Sequence, residues 1–185
     1  MALTPSNMLA LGTEAPQFSL PDTLNDGKSL ALGDLNLQKG LLVMFICNHC
    51  PYVKHINDEL VKLGQDYICQ GINMVAISSN NVSTHPEDSP EKMTIYGQNL
   101  GYPFPYLYDE SQEVAKSFDA ACTPDFYLFD ANKQLVYRGQ LDDSRPGNNQ
   151  PVTGKDLRLA MDHLLKDEVQ EAQQVPSIGC NIKWK

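Results

Sequence analysis

Leu41-Leu42-Val43-Met44-Phe45-Ile46-Cys47-Asn48-His49-Cys50-Pro51 decides the fold of this chain, because it passes from an apolar run to a helix start through two cysteines. Residues 41–46 are continuous and apolar, the pattern of a strand buried on both faces. From Pro51 the spacing changes: Val53, Ile56, Leu60, Leu63 and Tyr67 recur at helical intervals until Gly71 ends the pattern. Proline suits the first helical position, where its missing N–H costs nothing. Cys47 and Cys50 are therefore expected where a strand hands over to a helix N-terminus. Unpaired amides and the positive end of the helix dipole stabilise a thiolate there. The thiolate is the nucleophilic form of cysteine, so the position suits redox chemistry.

Working outward, residues 72–78 form a second apolar run and complete a βαβ unit, for which a right-handed crossover is expected. Upstream, residues 15–21 alternate enough for a short strand before a turn at Asn25-Asp26-Gly27. Downstream, residues 79–91 are polar, contain Pro86 and Pro90, and read as a loop. Helices are expected over 91–100 and 111–120, around a short strand near 105–107. Residues 125–129 and 134–137 flank a turn at 130–133, which predicts an antiparallel hairpin. After a polar loop at 145–149, Thr153 opens an amphipathic helix carrying Leu157, Ala160, Met161, Leu164 and Leu165. The sum is an α/β fold with a central mixed β-sheet flanked by helices.

Composition narrows the function. The chain has 185 residues, 42% hydrophobic and 8% aromatic, enough for one domain with a real core. Its net charge of −9, with no cluster of Lys and Arg, argues against a nucleic-acid partner and against an anionic membrane. No apolar run approaches the roughly 18–20 residues of a membrane span. The first residues lack the basic-then-apolar pattern of a secretory signal, and five scattered cysteines do not make a disulfide scaffold. A reducing cytoplasm is the expected location.

The order of strand, thiol motif, helix, strand, Thr-Pro and hairpin resembles the thioredoxin-like fold in its redoxin form, the peroxiredoxin-like (AhpC/TSA-like) family. The opening Gly12-Thr13-Glu14-Ala15-Pro16-Gln17-Phe18-Ser19-Leu20-Pro21-Asp22 is similar to the redoxin lead-in. Phe45 to Tyr52 resembles the active-site segment, and Cys122-Thr123-Pro124-Asp125-Phe126-Tyr127 resembles the loop carrying the family's cis-proline. The tail Ile178-Gly179-Cys180-Asn181-Ile182-Lys183-Trp184 looks like the ending of the group with a Cys-x-x-Cys motif. The resemblance covers about residues 12–170 and implies a single redoxin domain over 1–185, with an N-terminal redoxin extension and a C-terminal tail.

The resemblance also sets the register. In thioredoxins a strand phenylalanine precedes the nucleophilic cysteine by five positions, which here joins Phe45 to Cys50. Cys47 then takes the place of the threonine that peroxiredoxins keep three residues before their peroxidatic cysteine. Thr123-Pro124 stands where the peroxidase arginine is expected, and Met44 occupies the register of thioredoxin's buried acid. These departures favour thiol–disulfide exchange, with Cys50 attacking and Cys47 resolving. A thiol peroxidase built on Cys50 is the alternative, and a non-catalytic binding or zinc module is a third. Lys54 and His55, one turn on, are expected to lower the Cys50 pKa. An imidazolium at His49 would favour the thiolate.

Thr123 and Pro124 are expected to present backbone to an extended substrate. Cys122 is either an additional resolving thiol or a packed cysteine, and Cys69 is expected to be structural. The sequence assigns Cys180 no role. The loop over 80–91, with His85, Glu87 and Asp88, is either a ligand loop or a solvated connection. His163 is expected at the surface. Zinc would use Cys47, Cys50 and His49 or His55, but the redoxin resemblance implies no metal and no cofactor. The implied partners are protein or small-molecule disulfides or peroxides, and an external thiol reductant.

Overall fold

A strand buried on both faces needs paired neighbours on both edges and a packed layer on each side. The computed structural model describes residues 3–185; Met1 and Ala2, part of the domain expected over 1–185, lie outside them. In chain order the elements are β1 (Leu3–Pro5), β2 (Ser19–Asp22), β3 (Lys28–Ala31), β4 (Gly40–Phe45), α1 (Pro51–Tyr67), β5 (Ile72–Ser78), α2 (Pro90–Leu100), β6 (Tyr106–Tyr108), α3 (Glu113–Ser117), β7 (Cys122–Thr123), β8 (Asp125–Asp130), β9 (Leu135–Gly139), α4 (Lys155–Leu165) and β10 (Ile178–Asn181).

Every residue of β4 is buried. It pairs in parallel with β5 and antiparallel with β8, in a seven-stranded mixed sheet of order β3-β2-β6-β5-β4-β8-β9. Alternate side chains supply two cores. Leu42 and Met44 face α1 and α4, packing with Val53, Ile56, Leu60, Leu157 and Met161; Cys47 and Cys50 belong to this layer. Leu41, Val43 and Phe45 face the other way, onto Phe118, Tyr127 and Phe129. Among the described residues no helix is long and apolar enough to cross a membrane.

The structure departs from the sequence reading at three places. The helix expected over 111–120 is only α3, because Gln112 and Asp119 adopt positive φ at its two ends. The last helix starts at Lys155 rather than at Thr153. The amides of Thr153 and Gly154 both donate to the Asp142 carboxylate at 2.6 Å, so the cap comes from a distant side chain. The C-terminal segment, expected as a tail beyond the core, forms β10 at the centre of a small sheet of order β1-β10-β7. Ile182, just after it, is buried in the second core.

Asp125 opens β8 and is fully buried on the face opposite the thiols, where it accepts a 2.9 Å hydrogen bond from the Tyr127 hydroxyl. Burial pushes its carboxyl up to about 7, and the Tyr127 bond offsets only part of that. The folded state therefore holds a proton that the unfolded chain releases near pH 3.9, so this group's contribution to stability falls as pH rises from about 4 to 7. Asp125→Asn removes that dependence. Urea unfolding at pH 5 and pH 8 should show wild type losing stability relative to the variant, with a slope of at most about 1.4 kcal/mol per pH unit. Parallel pH responses of the two proteins would contradict this.

Candidate active site

The thiols lie where β4 gives way to α1. Cys50 is the N-cap residue of α1, with Pro51 at the first helical position. Both Cys50 and Cys47 are buried, at 0% and 1% exposure. Cys50 Sγ lies 3.3 Å from the Thr123 carbonyl and 2.8 Å from Cys180 Sγ. Cys47 Sγ lies 3.5 Å from Thr123 Oγ1 and 3.8 Å from His49 Nδ1. The Thr123–Pro124 peptide is cis. Thr123 pairs antiparallel with Cys180, so β10 occupies the backbone edge that an extended substrate was expected to use.

A second layer of polar groups holds His49. Its Nδ1 sits 2.6 Å from Asp88 Oδ2, and Asp88 is completely buried. The Asp88 carboxylate also accepts the Asn48 amide and the Asn80 side chain, each at 2.8 Å. The Asn48 side chain is fixed in turn, its Oδ1 accepting from the Tyr106 hydroxyl at 3.0 Å and its Nδ2 donating to the Glu87 carbonyl at 2.8 Å. His85 stacks on His49, with ring centroids 4.9 Å apart. The polar stretch after β5 is thus a scaffold of the site. Beside it a cleft of about 260 Å³, lined by Asn48, His49, Lys54 and Tyr96, opens toward His49.

The electrostatics follow from these contacts. The Cys47 thiol is the main influence holding Cys50 down, to about 5; burial opposes it, and the Cys180 thiol and the amides of Val53 and Cys180 add to the lowering. Lys54 and His55 are not the source of the shift, in contrast to the expectation from spacing: neutral S–H donors are. The reciprocal effect raises the donors. Hydrogen bonding to Cys50 and burial push Cys47 well above the usual thiol range. Burial and then Cys50 push Cys180 up. The Asp88 contact raises the His49 pKa against the effect of burial. Burial works to raise the Asp88 carboxyl, but its bonds from His49 and Asn80 leave it lowered. The Asp88 carboxylate therefore favours the protonated form of His49.

Of the residues singled out from sequence, Cys47, His49, Cys50, Thr123 and Pro124 come together here. Cys122 is buried with its thiol directed at the Pro124 carbonyl, 3.6 Å away, and burial pushes its pKa far up. Cys69 is exposed near the end of the first helix. His163 is partly buried on α4 and lies 3.8 Å from Glu168. Among the described residues, the donor atoms that could hold a metal ion are those of Cys47, His49 and Asp88, within 4.8 Å of one another; His55 is outside that set. Asp88, which the sequence places only within a candidate ligand loop, and Cys180, to which it gives no role, are the further residues that the structure brings to the site. For Asp88 the signal is the position of its loop at the C-terminal end of a strand, and for Cys180 the Ile-Gly-Cys-Asn-Ile alternation is a weak sign of a strand.

Residues 11–138 match the family model described as the AhpC/TSA family. A peroxiredoxin-like protein of Mycobacterium tuberculosis, Rv2521, is 30% identical over 119 residues, which cover 64% of this chain and 69% of that protein. The crystal structure of an uncharacterized conserved protein from Geobacillus kaustophilus is 55% identical, with a TM-score of 0.98 over 100% of this chain and 97% of that one. The thioredoxin domain of a thiol-disulfide oxidoreductase from Bacteroides vulgatus aligns with a TM-score of 0.59 at 20% identity, covering 70% of this chain and 88% of that one. That likeness shows the fold, which is thioredoxin-like.

The contacts of Cys50 make its titration measurable. Thiolate ultraviolet absorbance should rise with a midpoint near pH 5 in the wild type, and Cys50→Ser should abolish that step. Cys180→Ala removes one donor to a charged acceptor, which should move the midpoint up by about one to two pH units. An unmoved midpoint in that variant would show that Cys180 does not stabilise the thiolate.

Proposed function

Because the chain belongs to the AhpC/TSA family, we propose that it is a thiol–disulfide oxidoreductase whose working pair is Cys50 and Cys47. The observation that carries this is the buried Cys50 sulfur at the N-cap of α1, with neighbouring thiols that lower its pKa. Cys50 attacks one sulfur of a substrate disulfide, and the other sulfur departs with a proton. Cys47 then gives up its proton, attacks Cys50 Sγ and expels the remaining substrate thiolate. The Cys47 proton passes to solvent, and the His49 imidazolium, its Nδ1 3.8 Å from Cys47 Sγ, stabilises the thiolate that forms. Asp88 orients the ring and sets its pKa. The Cys47–Cys50 disulfide is returned to thiols by an external thiol donor. Lys54 and Lys92 at the cleft beside His49 give a small anionic thiol or disulfide an approach.

A second reading, reduction of a peroxide, is favoured by one observation. The edge of Thr123 is already paired to β10, and that leaves a small oxidant better access than an extended chain. Cys50 would then attack a peroxide oxygen, release an alcohol or water, and carry a sulfenic acid. Condensation with Cys47 would give the same disulfide and one water.

Steady-state assays of disulfide reduction and of peroxide consumption, each with dithiothreitol as donor, separate the two readings. Faster turnover of the disulfide supports exchange, and faster loss of peroxide supports the second. Cys50→Ser should reduce either activity to background; retained activity would remove Cys50 from the chemistry. Cys47→Ser should abolish the Cys47–Cys50 disulfide, and replacing Cys180 by Ser as well should leave Cys50 joined to substrate as a mixed disulfide. Asp88→Asn removes the contact that raises the His49 pKa, so the pH midpoint of the resolving step should move down. The same direction should appear in the His49 imidazole resonances. A midpoint that stays or rises would exclude His49 from that step.

A further inference from the structure

We propose that Cys180 is a third redox thiol of the site: the disulfide closed between Cys47 and Cys50 passes on to Cys50–Cys180, with β10 serving as a built-in strand substrate. This rests on Cys50 being the reacting thiol, as proposed above. The two sulfurs are 2.8 Å apart although 130 residues separate them in sequence. That approach is built into the sheet. Cys180 is opposite Thr123 across one edge of β10 and opposite Leu3 across the other, so its backbone is held from both sides.

The flanks of β10 are pinned as well. A Cβ on Gly179 would lie 2.0 Å from the Thr123 carbonyl oxygen, so only glycine permits this closeness of the two strands. Ser177 Oγ donates to the Pro124 carbonyl at 2.6 Å, and the Ile182 amide donates to the Ala121 carbonyl at 3.1 Å. The Lys183 amide donates to Asn80 Oδ1 at 2.8 Å, while Asn80 Nδ2 donates to Asp88. β10 thus joins the cis-proline loop to the His49–Asp88 scaffold. Extended chains are commonly recognised by adding a strand to an exposed edge. Here the protein's own chain fills that edge, and its cysteine stands where the cysteine of a bound substrate strand would stand.

The transfer balances without an oxidant. Cys180 gives up its proton and its thiolate attacks Cys50 Sγ. The Cys47–Cys50 bond breaks as the Cys50–Cys180 bond forms, and Cys47 leaves as a thiolate that takes up a proton, for which His49 is 3.8 Å away. One disulfide is present before and after. Cys47 becomes a free thiol, and the oxidised protein carries a covalent link between the start of α1 and β10.

The test is disulfide mapping of the full chain. Reduced protein is treated with one equivalent of 2,2′-dithiodipyridine, quenched in acid, alkylated with N-ethylmaleimide and digested with trypsin without reduction. Transfer predicts that peptide 40–54 is joined to peptide 167–183, with one alkylated cysteine on the first. The joined pair should persist in Cys47→Ser and vanish in Cys50→Ser. A wild-type digest with only an internally bridged 40–54 peptide and alkylated Cys180 would overturn the proposal. So would a joined pair that survives Cys50→Ser but not Cys47→Ser. In the first of these cases, inactive Cys50→Ser protein would leave the working-pair assignment standing. Active Cys50→Ser protein would instead show that the assignment itself had failed.

Discussion

A buried thiolate has to be hydrogen-bonded, because an anion taken out of water without donors is strongly disfavoured. Cys50 has no exposure to solvent, so a charge on it would be supported from within, by the Cys47 and Cys180 thiols and by main-chain amides. Those donors come from three places: the end of β4, the first turn of α1, and β10. The site therefore exists only when the large sheet, the helix and the small sheet are all assembled around one sulfur atom. A free helix N-terminus alone would not suffice, since burial works against the same anion.

The polar layer beneath the thiols follows the same rule. Asp88 is fully buried and charged, and three donors satisfy it: the Asn48 amide, the Asn80 side chain and His49. Asn48 links this cluster back to Tyr106 on β6, in the centre of the sheet. His49 is thereby held in one orientation by rigid elements although it lies in a connecting segment. The ring is held beside Cys47 without the loop having to move.

Much of this is legible in the sequence because it is local. The passage from residues 41–46 to Pro51 shows its change of period directly, and β5 coincides with the expected strand over 72–78. Pro51 marks the helix start and so places Cys50 at its N-cap, where it is found. The hairpin of β8 and β9 follows from its turn. What is hidden is long-range. Nothing local says that Cys180 returns to Cys50, because strand pairing across 130 residues leaves no periodic trace. Asp88 reads as one more polar residue between prolines, and only tertiary packing removes its water. Lys54 and His55 are near Cys50 along the helix, yet the pKa of Cys50 is governed by thiols that the helix does not carry.

The position of β10 in the chain also bears on how the protein comes into being. Residues forming β4, α1, β5 and β8 leave the ribosome well before β10, and contacts of large sequence separation close last and slowly. A nascent chain therefore carries Cys47 and Cys50 without the strand that shields them. The Cys50 sulfur acquires its full set of neighbours only once β10 has been made and has docked, so the order of synthesis delays the completion of its surroundings.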